Sequence, residues 1–479
     1  MELIFDLNKD KKSRLSYLKY SSLVIIYIIG LFLWLRFFNF GDIKFTYLDW
    51  VYDTGPRYVF LYNAINSNSL PLHMSNQSGL VCITDRYFSV PDVIISPQII
   101  LLKILTPERF IVFNIFFLYT LGFLGLLIIR KKFSLNILSF AILFLLFNFN
   151  GHILSHLAVG HMPWMGYFLL PFYIIQIFNL LESKQNWCWV TTTSLVMLTM
   201  FLQGSFHLYI HCLMFLFLIG ITDRKNIFMS LTTVIVSLLI SMIRIAPSVL
   251  ILDKFNTVFH GGFPSMLTIL KALTQINLPD VRLYVPGGKT MGWWEFNFYI
   301  GVLGLLFIAI FGFYKWLLNN KEEKFKRLLF PIIVMTVLSM GNVYEIANYL
   351  PIPTGERVTT RFILLPLLFM IVISAIQFNK WFCINEKCKE IRFFAGIILV
   401  IIGNDLWQNF KVWEISNMIK VFDQITFFPD MWYVANRYYD HVYIFALKMG
   451  AFLTIITIAI LLLLTRLSHN QSKNKIHSK

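Results

Sequence analysis

The sequence predicts an all-α, polytopic helical membrane protein with about twelve transmembrane helices. Three observations carry this. The 479 residues are 57% hydrophobic, 17% aromatic and only 14% charged, with mean hydropathy +0.67, well beyond the apolar share of a soluble chain. Apolar runs of about 17–25 residues recur, and in lipid such backbone is satisfied only as helix or closed barrel. The formal net charge of +16 is concentrated in alternate connectors, as the positive-inside rule requires.

The basic connectors contain Lys9, Lys11, Lys12, Arg14 and Lys19, then Arg130, Lys131 and Lys132, then Lys321, Lys324, Lys326 and Arg327, and finally the tail from Arg466. Placing them in the cytoplasm puts both termini inside. Nucleic-acid binding, the competing reading of such a charge, has no soluble basic domain to carry it. Of five cysteines only Cys82 falls in the first external loop, so no disulfide framework is expected. No small-residue cleavage site follows the first apolar run, which reads as an uncleaved span.

In chain order, the first span covers about 21–38, and an external loop follows at 41–93. Within it Tyr58, Leu61, Tyr62 and Ile65 follow helical spacing behind Pro56, which predicts an amphipathic helix lying on the membrane surface. Residues 94–105 are too short for a span and carry Pro97, so a re-entrant or surface helix is expected. Further spans are expected at about 110–129, 135–149, 163–181, 187–202, 205–221, 227–250, 298–317, 328–340, 362–376, 393–407 and 442–464. A second external stretch, 253–297, has an amphipathic pattern at Met266, Ile269, Leu270, Leu273 and Ile276, then a turn-rich PGGKTMGWW; a third, 408–440, is aromatic. The whole, 1–479, reads as one integral membrane domain without internal repeats.

Polar and charged residues gather on the external side. The first loop carries Asp42, Asp49, Asp53, Asp85 and Asp92. A carboxylate there can act as general base toward a hydroxyl, and Asp49 with Asp53 can also hold a divalent cation; a solvated loop Asp or a helix cap is the plainer reading of each. The cations Arg57, Lys289, Arg357 and Arg361 are candidate phosphate ligands, Arg357 and Arg361 lying one helical turn apart. For Arg361, snorkelling or pairing with Glu345 or Glu356 weighs equally, and for Lys289 that plainer role is favoured. His152 with His156, and His207 with His211, stand four apart near the outer surface, together with His161 and His73. Such pairs suit a metal, a substrate hydroxyl or buried structural histidines; no HExxH, Walker loop, dinucleotide fingerprint or GxSxG accompanies them.

Assembled, these residues resemble the GT-C superfamily of multi-pass glycosyltransferases, particularly its bacterial YfhO-like members. The resemblance is carried by Asp49, Pro56-Arg57 and SLPLH (69–73), then GHILSHLAVGHMPW (151–164), QGSFHLYIH (203–211) and RVTTRF (357–362). Asn68-Ser69 and His73 depart from the family's Gly and Trp. The resemblance implies a polyprenyl-phosphate sugar donor and a lipid or glycan acceptor at the external face of a bacterial cytoplasmic membrane. It also implies inversion at the anomeric carbon, with Asp49 as base and Asp53 or Asp85 as its alternatives. Arg57, Arg357, Arg361 and Lys289 would then face the donor phosphate, and His152, His156, His161, His207 and Trp164 the substrate. A transporter or lipid-linked saccharide flippase is the main alternative, although repeats and mid-span charges are scarce apart from Arg244. An O-antigen polymerase or ligase is the other, although the longest polar loop here is the first.

Overall fold

The computed structural model describes residues 14–254, 260–285, 289–318, 323–347, 357–385, 388–437 and 439–477. Lys9, Lys11, Lys12, Gly287, Gly288, Lys321 and Glu356 lie outside these. Every expected span falls on a helix. Seven helices among the described residues are long and apolar enough to cross a membrane: Tyr20–Phe37, Pro107–Lys132, Ile137–Ala158, Met162–Leu181, Gly301–Leu318, Thr359–Asn385 and His441–Ser468. This makes the protein an all-α membrane protein. An eighth crossing arises if Arg224–Ile240 and Met242–Val249, bent by 68° at their junction, count as one. Trp187–Leu202, Phe206–Ile221 and Leu329–Leu338 are apolar but shorter, so length and composition do not by themselves support about twelve crossings.

Helix starts follow from local chemistry. Asn136, Asn186 and Asp223 each accept a hydrogen bond from a backbone N–H of the turn they open, at 2.8, 2.9 and 3.1 Å, which satisfies one of the orphan donors of a helix N-terminus. Burial then orders the bundle. Thr359–Asn385 is the central helix, its most apolar stretch wholly buried, whereas the corresponding stretch of His441–Ser468 is only 17% buried and forms the periphery. Aromatic rings pack the first helix against Ile137–Ala158 and Met162–Leu181: Trp34 lies 5.7 Å from Phe149 and 5.4 Å from Phe168.

One expectation changes, and two stretches gain definition. The first-loop helix exists, at Gly55–Asn66 with Pro56 in its first turn, but Arg57, Tyr58, Val59, Phe60, Leu61 and Ala64 are all buried, so it is packed into the protein instead of lying on a surface. Residues 97–103 form a 3-10 helix, Pro97–Lys103. The turn-rich stretch after the helix Met266–Thr274 forms an antiparallel hairpin, Arg282–Val285 with Lys289–Gly292, in the register Val285 opposite Lys289.

Candidate functional site

Asp49 owes its position to a clamp between the first loop and the end of another helix. The chain enters one π turn, Trp50–Thr54, immediately after it. The Tyr47 hydroxyl and Trp50 Nε1 both donate to the Ala158 carbonyl, at 3.1 and 2.9 Å, and Thr54 Oγ1 donates to the Gly160 carbonyl at 2.5 Å. The Ala158 carbonyl belongs to the last turn of the helix Gly151–Ala158, where carbonyls lack helical partners, and the Gly160 carbonyl just beyond it also accepts from the Met162 N–H at 2.7 Å. Gly160 has φ +96°, and a Cβ on it would lie 2.6 Å from the Trp50 nitrogen; only glycine permits both.

The clamp brings Asp49 against His161, with Oδ2 2.5 Å from Nε2. From there a continuous series of side chains crosses the site. His161 Nδ1 lies 2.6 Å from His156 Nδ1. His156 Nε2 lies 3.8 Å from Glu295 Oε2. Arg361 grips both oxygens of Glu295, Nη2 at 2.7 Å and Nε at 3.0 Å, and its Nη1 is 3.2 Å from His207 Nε2. Trp164 packs at the centre: its ring lies 5.7 Å from the Arg361 guanidinium and 4.4, 4.8 and 6.2 Å from the rings of His152, His156 and His207. Stretches distant in sequence thus bring Asp49, His152, His156, His161, Trp164, His207 and Arg361 together, with Glu295 added.

Electrostatics follow from this packing. Burial pushes the Asp49 carboxyl up, but His161 beside it, together with Arg57 and Arg361, holds it below the usual carboxylate range. Burial pushes the His161 imidazole down, and Asp49 together with Glu295 raises it above its ordinary value. The pair therefore favours an ionised carboxylate, and the second Asp49 oxygen has no hydrogen-bond partner among the described residues.

Arg57 and its neighbours form the adjoining shelf. Arg57 is buried and meets Asp92 at 3.2 Å, Asp53 at 3.5 Å and the Gly79 carbonyl at 3.0 Å. Asp92, read from sequence as an ordinary loop residue, is thus the nearest counter-ion of Arg57. Burial pushes Asp92 up, but Arg57 outweighs this and lowers it. Burial takes Asp53 up to about 6, with Arg57 only partly opposing. Both Arg57 and Arg361 are therefore already paired with carboxylates.

The remaining candidates fall outside that series, although the cavity at Lys289 shares Glu295 with it. Lys289 lines a cavity of about 550 Å³ with His260, Thr290, Trp294 and Glu295. Arg357 is exposed, and its carbonyl accepts from the His260 N–H at 2.8 Å. Asp85 belongs to a second cluster, 3.1 Å from His73 and 3.1 Å from Arg437, beside the Arg86–Asp440 pair. His211 packs its ring 4.7 Å from Phe362. Arg244 is fully buried and donates to the carbonyls of Val90, Pro91 and Val93, which fixes the stretch of chain carrying Asp92.

Sequence reasoning missed Glu295 and Asp92. A lone carboxylate in the aromatic run MGWWEF is a usable signal, because charge beside apolar neighbours is costly unless it is paired. The chain matches no family model, no curated protein and no solved structure.

Proposed function

We propose that the chain is a membrane glycosyltransferase that moves a sugar from a polyprenyl-phosphate donor to an acceptor hydroxyl on the extracytoplasmic face, with inversion. The observation that carries this is Asp49: a carboxylate kept ionised by His161, with one oxygen open, at the edge of a helical membrane bundle. In the reaction the acceptor oxygen bonds to the anomeric carbon as the bond from that carbon to the phosphate oxygen breaks. The electron pair leaves with the polyprenyl phosphate, and the acceptor proton passes to Asp49. The leaving phosphate needs charge stabilisation. Lys289, which lines the cavity beside Glu295, is the candidate for that role together with Arg357, Arg57 and Arg361, the last two of which also meet Asp92, Asp53 and Glu295.

The test is Asp49→Asn in purified protein, with transfer assayed from a polyprenyl-phosphate sugar. Loss of rate by about 10²–10⁴-fold with donor binding retained is expected of a general base. Transfer at the wild-type rate sinks the assignment. A second reading, a transporter or flippase, draws on the 68° break between Arg224–Ile240 and Met242–Val249, since discontinuous helices mark many carriers. Movement of substrate across sealed vesicles with no covalent product would favour it.

A further inference from the structure

The cluster between Asp49 and Arg361 holds buried nitrogen atoms that hydrogen bonding does not account for. Asp49 accepts from His161 Nε2, which leaves His161 Nδ1 as the atom turned toward His156. A shared proton explains that contact alone. It leaves His156 Nε2, fully buried, with no hydrogen-bond partner, and both nitrogens of buried His152 likewise. Glu295 Oε2 stands 3.8 Å from His156 Nε2, too far for a hydrogen bond. Two ligands bonded at about 2.0–2.2 Å to one ion are separated by about 3–4 Å. His156, His161 and Glu295 each offer a ligand atom, and the three lie within 4.8 Å of one another.

We propose that His156, His161 and Glu295 bind one divalent transition-metal ion, zinc foremost. Two imidazoles and one carboxylate suit zinc and its neighbours, whereas magnesium and calcium take oxygen. The outer groups are those a metal site uses. Asp49 holds the second nitrogen of His161, and Arg361 fixes the carboxylate of Glu295; such partners orient ligands and set affinity. The ligand pair differs from either pair that helical spacing singles out. It spans the end of a helix, where the His161 N–H closes on the His156 carbonyl at 2.9 Å. Metal binding does not depend on the transfer reading, because it is measured with no substrate present.

The experiment uses full-length, tag-free protein in detergent, stripped with chelator and dialysed against Zn²⁺ or Co²⁺, with metal counted by mass spectrometry. One ion per folded chain is expected, with visible cobalt absorption of an imidazole-containing site. The double variant His156→Gln/His161→Gln is expected to lose that ion. Asp49→Asn is expected to bind it about 10–100-fold more weakly, and His73→Gln, in the other cluster, to bind it as wild type does. Substoichiometric metal and no cobalt bands in folded wild type overturn the site, whether or not any variant folds. Unchanged binding in the double variant overturns it equally.

Discussion

Asp53 and Asp92 share Arg57 on unequal terms, and that inequality has a consequence for pH. Asp92 lies nearer the guanidinium and is lowered, while burial takes Asp53 from 3.8 to about 6. Asp49, Asp92 and His161 are the other charged groups that act on it. Between those two values the folded chain keeps a proton on Asp53 that the unfolded chain has lost, so stability falls as pH rises through the window and stays reduced above it. Asp53→Asn removes the titration. Its melting temperature, followed by tryptophan fluorescence in detergent, is expected to exceed that of wild type by a few degrees at pH 8 and to lose that advantage near pH 4. A lower melting temperature at pH 8 would mean that the Arg57 contact outweighs the burial of the charge.

At the scale of elements, the site depends on how one helix stops. GHILSHLAVGHMPW reads by periodicity as a His152–His156 pair one turn apart, yet the close nitrogen pair is His156–His161, five apart. The helix ends at Ala158, and Gly160 reverses the chain with a positive φ. Helical spacing ceases to apply at that point. The same limit hides the hairpin and Glu295, because a two-stranded turn carries no apolar repeat, and the meeting of Glu295 with Arg361 is a tertiary event between the short turn Trp293–Glu295 and the start of the helix Thr359–Asn385. Periodicity and capping do make the helices legible, and one-sided clustering of polar residues makes Asp49, His207 and Arg361 legible as a group. Gly160→Ala tests the stop itself. Positive φ on a residue with a Cβ costs about 1–3 kcal/mol, and the Cβ would press on the Trp50 nitrogen at 2.6 Å. The variant is expected to melt earlier and to lose the transfer activity proposed for Asp49. Wild-type stability would show that the clamp yields freely.

At the scale of the whole molecule, one helix measures the bundle. Thr359–Asn385 has 27 residues and is buried along its most apolar stretch, so it runs about 40 Å, enough to cross a hydrocarbon core of about 30 Å. Arg361 stands at one end of it, tied to Glu295 and the histidines, and exposed Cys383 stands at the other with Cys388 just beyond. Exposed Cys82 belongs with the first end, because it follows the turn Gln77–Leu80, whose Gly79 carbonyl receives Arg57. A central helix that crosses the membrane puts the two thiol groups on opposite sides of it. Basic connectors flank the Cys383 end and are expected to keep it in the cytoplasm. In single-cysteine variants, a membrane-impermeant maleimide is expected to label Cys82 in intact cells, and Cys383 or Cys388 only after permeabilisation. Labelling in the reverse order would place the Asp49 site in the cytoplasm, against the proposed extracytoplasmic donor. Labelling of all three in intact cells would show that the central helix does not cross.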